Sequence, residues 1–208
     1  MIENYEKLSD GRIKQINYAP FEYGYNYSNN YNTPLYIQNS IHISYLRYAY
    51  LVGAINKTPN SILDVGYGNG DFLSIASTQV KQCYGYDISN YPVPVGCHKS
   101  DSMLNKFYDV ITFFDSLEHF SDISFVENLK CSFICISLPW CHYFSDEWFE
   151  SWKHRKPDEH LWHFNFESLI SFMKSSGFSY ITHSNIEDQI RKHKFDYPNI
   201  LTAVFKKI

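Results

Sequence analysis

Ser61-Ile-Leu-Asp-Val-Gly-Tyr-Gly-Asn-Gly-Asp-Phe72 is the stretch whose reading decides the fold. A short apolar run reaches Asp64 and then breaks into glycine at every second position, Gly66, Gly68 and Gly70. Glycines spaced this way let the backbone turn with φ > 0 and let a ligand lie against bare main chain. Apolar periodicity resumes at Phe72, Leu73, Ile75 and Ala76, so a helix starts just after the turn. Strand, glycine turn and helix start make a nucleotide-type loop. The loop reads G-x-G-x-G rather than G-x-G-x-x-G, which sets a dinucleotide oxidoreductase aside.

Outward from the loop, short apolar runs alternate with helical segments, the pattern of βαβ units in a mainly parallel sheet. Strands are expected at 61–66, 82–87, 94–98, 108–114, 132–138, 179–185 and 200–206, with helices at 70–80, 121–129 and 165–176. Upstream, residues 40–55 read as a helix whose apolar face is Ile41, Tyr45, Leu46, Tyr48, Leu51 and Val52. Residues 1–39 are rich in Tyr and Asn without a clean period, and are expected to form either an arm over a pocket or a packed extension.

The motifs together resemble the class I S-adenosylmethionine (SAM)-dependent methyltransferases. The resemblance is carried by Leu63-Asp-Val-Gly-Tyr-Gly-Asn-Gly70, Tyr84-Gly-Tyr-Asp87, Asp109-Val-Ile-Thr-Phe-Phe-Asp-Ser-Leu-Glu-His-Phe120, Ile136-Ser-Leu-Pro-Trp140, and His160-Leu-Trp-His-Phe164 with the later Gly177-Phe178. It covers roughly residues 58–208. It implies a Rossmann-like α/β fold: a seven-stranded, mainly parallel sheet with an antiparallel last strand and helices on both faces. It also implies that residues 1–57 are an arm and helix of the same domain, with a substrate insertion at 140–164.

For the cofactor, the resemblance implies that Asp64, Gly66, Gly68 and Gly70 shape the turn under the methionine half of SAM. Asp87, ending the second strand, is the carboxylate expected on the ribose diol. Asp101 is placed to meet the adenine amino group, and Asp115 to face the SAM amino group or the acceptor. Asp115-x-x-Glu118-His119 also resembles the metal motif of ubiquinone-type O-methyltransferases and small-RNA 2′-O-methyltransferases. There a divalent ion held by Asp115, Glu118, His119 and a further histidine such as His160 would position a hydroxyl. In that motif Asp115 replaces a glutamate one methylene longer.

The segment 140–163 holds all four tryptophans and four of the nine histidines. Aromatic walls with a few imidazoles suit a flat or partly apolar acceptor or a stacked sugar. Methyl transfer needs a base only for a hydroxyl or a protonated amine. His142, His160 and His163 are the candidates because histidine titrates near neutrality.

Composition bounds the rest. A chain of 208 residues with 44% hydrophobic and 19% charged residues suits one folded domain. Its net charge of −4 argues against a broad nucleic-acid face; the aromatic segment 140–163 is what points to a small-molecule acceptor. Five cysteines without a C-x-x-C pair fit free thiols in a reducing compartment. With no membrane-length apolar run and no leader-like start, a cytoplasmic location is expected.

Overall fold

A computed structural model describes residues 2–21, 33–88, 91–192 and 194–208. Strands β3 (Ser61–Val65), β4 (Gln82–Tyr86), β5 (Cys97–Lys99), β6 (Tyr108–Phe114), β7 (Cys131–Pro139), β9 (Phe178–Ser184) and β10 (Ile200–Lys207) form one sheet. Their order is β5-β4-β3-β6-β7-β10-β9. Pairing is parallel from β5 to β7, whereas β10 runs antiparallel to both β7 and β9. The order reverses beside β3, so the glycine turn leaves the sheet at the crevice where open α/β sheets take ligands.

Helices cover both faces. On one side α1 (Pro34–Ile55) and α2 (Asp71–Ala76) pack Leu51, Ile55, Phe72, Leu73 and Ala76 over Ile62, Val110, Cys135 and Val204. On the other, following the short insertion helix α3 (Asp146–Ser151) in the chain, α4 (Phe166–Ser175) packs Leu169, Phe172 and Met173 over Leu63, Ile111, Ile134 and Phe205. Helix α4 starts at a capping box in which Asn165 accepts from Ser168 N–H and the Ser168 hydroxyl accepts from Asn165 N–H. Helix α1 is capped by Thr33, with Pro34 at its first position.

Several expectations need correction. Helix α1 begins at Pro34, and its buried face is Ile43, Arg47, Leu51 and Ile55. Ile41 and Tyr45 are exposed, because the four-residue stripe that meets the sheet starts two positions later. Residues 121–129 form only a 3₁₀ turn at Ser124–Asn128; Ile123, Val126 and Leu129 plug the core without room for a longer helix. The third strand in sequence is Cys97–Lys99, displaced toward the C-terminus because Pro92 and Pro94 cannot donate to a ladder.

The N-terminal residues are neither structureless nor wholly an arm. Strands β1 (Tyr5–Lys7) and β2 (Ile13–Gln15) join β8 (Trp162–His163) in a three-stranded antiparallel sheet. Gln15 strengthens the join: its side-chain amide donates to Asp158 Oδ1 and accepts from Asp158 N–H, each at 2.9 Å. The segment therefore braces the 140–164 insertion. Residues 22–32, where an arm over the pocket would fall, lie outside the described residues. No helix among the described residues is long and apolar enough to cross a membrane.

Candidate cofactor and methyl-transfer site

The glycine turn is held by what its glycines lack. A Cβ on Gly66 would stand 2.5 Å from Ser116 Cβ, so the turn packs directly on the end of β6. Gly68 (φ +52) is different: a Cβ there would meet nothing within 4 Å. Protein packing does not require glycine at 68; the left-handed backbone and an open approach to the main chain do. Gly68 N–H donates to Asp87 Oδ2 at 2.9 Å, which joins the turn to the carboxyl end of β4. These residues fit an adenosyl group with an attached amino-acid end, the turn offering main chain and Asp87 a carboxylate.

Asp64 is buried behind the turn, accepting from the Thr112 hydroxyl at 2.7 Å. Burial pushes its pKa up to about 7, against the Thr112 bond and Arg47. It shapes the strand end rather than presenting a face to a ligand. Asp101 is exposed in the bend after β5.

Asp115 sits at φ +54 just past β6, with its N–H on Ser137 O at 2.8 Å. Its Oδ2 accepts from Arg47 Nη2 at 2.7 Å and from Arg191 Nη2. Arg47 also binds Glu187 through Nε at 2.6 Å and Nη2 at 3.1 Å, and Ser137 donates its hydroxyl to Glu187. Arg191 Nε lies 2.8 Å from Glu187 Oε2 as an ion pair without hydrogen-bond alignment. Burial opposes ionisation of Asp115, yet Arg191 and Arg47 hold its carboxyl well below the usual range, so it is a poor proton acceptor at neutral pH.

The sequence reading missed Arg47, Glu187 and Arg191. Arg47 alone left a trace, a charge inside the apolar i, i+4 stripe Ile43-Arg47-Leu51-Ile55. Glu187 and Arg191, in and just after the 3₁₀ turn Ile186–Gln189, carry no motif.

One turn on, the structure brings Glu118, His119 and His160 together, with one ligand-type atom from each within 4.8 Å of the others. Asp115 is not in this group; the arginines hold it. Both Glu118 carboxylate oxygens are buried without a hydrogen-bond partner. Burial, with the Asp115 charge beside it, pushes Glu118 up to about 8. His160 gives Nδ1–H to His154 O at 2.8 Å, which leaves Nε2 as the lone-pair nitrogen. His119 also lines a cavity of about 220 Å³ with Tyr18, Pro20, Phe21 and Asp158.

The other two histidines separate. His163 is 3% exposed and packed among Tyr5, Phe149 and Trp152, where burial lowers its pKa to about 3. His142 stands in an aromatic ladder, stacked at 5.6 Å on both Trp140 and Phe144. Tyr197, 4.8 Å from His142, borders a cavity of about 500 Å³ with Asn185, Asp188, Phe195 and Pro198. Trp148, Trp152 and Trp162 anchor the insertion: the first two stack at 5.2 Å, and Trp162 Nε1 donates to Phe120 O.

A family model described as a methyltransferase domain matches residues 43–183. The chain belongs to that methyltransferase family. Comparison with curated proteins gives no match. Among solved structures it is similar to 1,6-didemethyltoxoflavin-N1-methyltransferase of Burkholderia thailandensis, at a TM-score of 0.61 and 12% identity, over 98% of this chain and 99% of the other. It is also similar to magnesium protoporphyrin IX methyltransferase of Synechocystis PCC 6803, at 0.56 and 13%, over 92% and 91%. The methyltransferase domain of a bacterial Hen1 protein matches at 0.54 and 14%, over 81% of this chain and 98% of that one. At these identities the structures establish the fold, which is the Rossmann-like methyltransferase fold.

Proposed function

We propose that this methyltransferase takes its methyl group from SAM and passes it to a hydroxyl or amine of a small-molecule or sugar acceptor. The observation that carries the reading is the Gly66–Gly70 turn, open at Gly68 and tied to Asp87. SAM supplies an electrophilic methyl on a sulfonium, and much of the rate comes from holding the acceptor in line with it. Gly66, Gly68 and Gly70 underlie the methionine half, Asp87 takes the ribose hydroxyls, and Asp101 lies on the adenine side.

The Trp140–His142–Phe144 ladder and the neighbouring cavity at Tyr197 suit a ring compound. The acceptors named for two solved relatives, 1,6-didemethyltoxoflavin and magnesium protoporphyrin IX, are of that class. His142 Nε2 lies 2.7 Å from Pro198 O, so Nε2 carries the proton and Nδ1 is left as the acceptor of one. His160 has a free nitrogen too but lies in the Glu118 cluster, so His142, beside the Tyr197 cavity, is the base for a hydroxyl acceptor. An acceptor screen with methyl-labelled SAM tests the reading. Label transfer to ring hydroxyls or amines supports it, and label transfer only to macromolecules overturns it.

A second reading is favoured by Glu118. Two buried, unpartnered carboxylate oxygens beside His119 and His160 are the donor set of a divalent ion. Such an ion would orient an acceptor oxygen and lower its pKa. Glu118, His119 and His160 would hold it, with His160 kept in its tautomer by His154 O. A metal-assisted RNA 2′-O-methyltransferase is the form of this reading that changes the acceptor, and the net charge of −4 weighs against it. Loss of transfer in EDTA, restored by added divalent ion, decides for the metal.

A further inference from the structure

We infer that Cys97 and Cys83 are a redox pair: a hydroperoxide oxidises Cys97, Cys83 closes a disulfide with it, and the bond disturbs the glycine turn. The last step rests on the SAM reading; the first two do not. Placement singles this pair out among the five cysteines. Cys83 on β4 and Cys97 on β5 are register partners in parallel strands. Both thiols lie under α2 and the turn after it, Cys83 Sγ 3.9 Å from Val80 O and Cys97 Sγ 3.7 Å from Leu73 O. They therefore point to the same face, and they share a hydrogen bond. A strand spacing of about 4.8 Å lies within the Cα separation of a disulfide. The other cysteines have no such partner. Cys131 and Cys135 lie opposite Tyr108, Thr112 and Val204, and Cys141 packs with Tyr5 and Phe149.

The two thiols differ in access, which sets the order of events. Cys83 is 1% exposed, whereas Cys97 is half-buried on a strand whose next residues, His98 and Lys99, are exposed. Burial raises the Cys97 pKa, against hydrogen bonds from Ser77 and Cys83, and burial pushes Cys83 up to about 12. Cys97 is thus the thiol that meets an oxidant and ionises first. Its thiolate attacks the terminal oxygen of a hydroperoxide, the O–O bond breaks, and an alcohol leaves, or water from hydrogen peroxide. Cys97 is then a sulfenic acid. The Cys83 sulfur displaces hydroxide from it, and hydroxide departs as water with the Cys83 proton. Two thiols are oxidised by two electrons, and one hydroperoxide is reduced by two.

Closing the bond pulls on the cofactor crevice. In-register side chains stand about one strand spacing apart, whereas a disulfide draws its Cβ atoms to about 3.8 Å. Strand β5 has three residues, ends the sheet and pairs with β4 alone, so it is the part that moves. Cys97 N–H donates to Pro94 O at 3.0 Å. Pro94 in turn packs on the glycine turn: a Cβ added to Gly70 would stand 2.6 Å from Pro94 Cγ. Drawing Cys97 toward β4 therefore shifts the residue that walls Gly70. A strained, half-exposed disulfide is readily reduced, so the change is reversible.

Hydrogen peroxide is the probe. Of two samples of treated protein, one is alkylated and mapped by mass spectrometry, and the other is titrated with S-adenosylhomocysteine in a calorimeter. A peptide pair linked through Cys83 and Cys97 is expected, with the other three cysteines alkylated. Affinity should fall several-fold and return with dithiothreitol. C97S should bind the ligand as reduced wild type does and lose no affinity in peroxide, which removes methionine oxidation as a cause. In C83S, Cys97 should accumulate as a sulfenic acid that dimedone traps. Both thiols alkylated after peroxide, or Cys97 driven to sulfinic acid beside a free Cys83, would overturn the pair. A complete Cys83–Cys97 disulfide with unchanged affinity would overturn the link to the glycine turn. If a variant does not fold, the wild-type map and its reversal by dithiothreitol decide. Reduced wild type that binds no ligand would overturn the SAM reading, while the peptide map would still decide the pair.

Discussion

Asp87 accepts the N–H of Gly68 at 2.9 Å, so the carboxylate at the end of β4 and the glycine turn after β3 are one unit. The contact crosses neighbouring parallel strands, and it orders the turn before a ligand arrives. Preorganisation of this kind lowers the ordering cost of binding.

Replacing Asp87 with Ala should therefore weaken S-adenosylhomocysteine by about 1–3 kcal/mol, through the lost ribose contacts and the loosened turn. Calorimetry on the folded variant checks this. Unchanged affinity would remove Asp87 from the site.

Glu118 gives a second prediction. E118Q should abolish tight binding of Mn²⁺ or Mg²⁺, measured by titration of the metal-free protein, and should remove any EDTA sensitivity of methyl transfer. Wild-type protein that transfers methyl groups equally well in EDTA would leave Glu118 as a buried acid without a metal.

The ion network predicts a stability effect that needs no ligand to be measured. Arg47→Met removes the only guanidinium with aligned bonds to buried Glu187 among the described residues, leaving the unaligned Arg191 and the Ser137 hydroxyl, and breaking a buried pair costs about 3–5 kcal/mol. Urea unfolding of R47M should show that loss, and R47M/E187Q should recover a large part of it. A double variant no more stable than R47M would mean that the two residues are not coupled.

Asp64 predicts a pH dependence with a definite sign. Its pKa is raised from 3.8 to about 7 by burial, so between those values the folded state holds a proton that the unfolded state has lost. Stability falls as pH rises through that window and levels off above it, by up to about 4 kcal/mol from this group. D64N should flatten the slope in urea unfolding curves recorded from pH 4 to 8.

Strand positions and the cofactor turn were legible because they rest on local pattern. Val65-Gly66-Tyr67-Gly68-Asn69-Gly70 needs positive φ at its glycines whatever surrounds it, and the runs that became β6 and β7 are apolar enough to be sheet interior. The small N-terminal sheet was not legible. Its strands have two or three residues each, and Ile13 is paired with His163, 150 positions away. Nothing local announces such a contact.

The site divides along the same line. Glu118 and His119 are adjacent in a motif, and of the histidines considered beside them His160 lies next to the pair, because the insertion folds back along the 3₁₀ turn Leu117–His119. The partners of Asp115 come from α1 and from the segment after β9, which meet only in the folded sheet. The buried face of α1 was misjudged for a related reason. Tyr and Ile on both sides of the helix made two stripes plausible, and the one containing a charge was passed over.

The most direct test of the account is thermal unfolding with S-adenosylhomocysteine, with NAD and without ligand. A ligand at about 100 times its dissociation constant stabilises the folded state by about 2.7 kcal/mol, which for a domain of this size is roughly 5–11 °C in the midpoint. That shift is expected with S-adenosylhomocysteine, none with NAD, and a much smaller one in D87A. A folded protein that does not respond to S-adenosylhomocysteine, or responds equally to NAD, would contradict it.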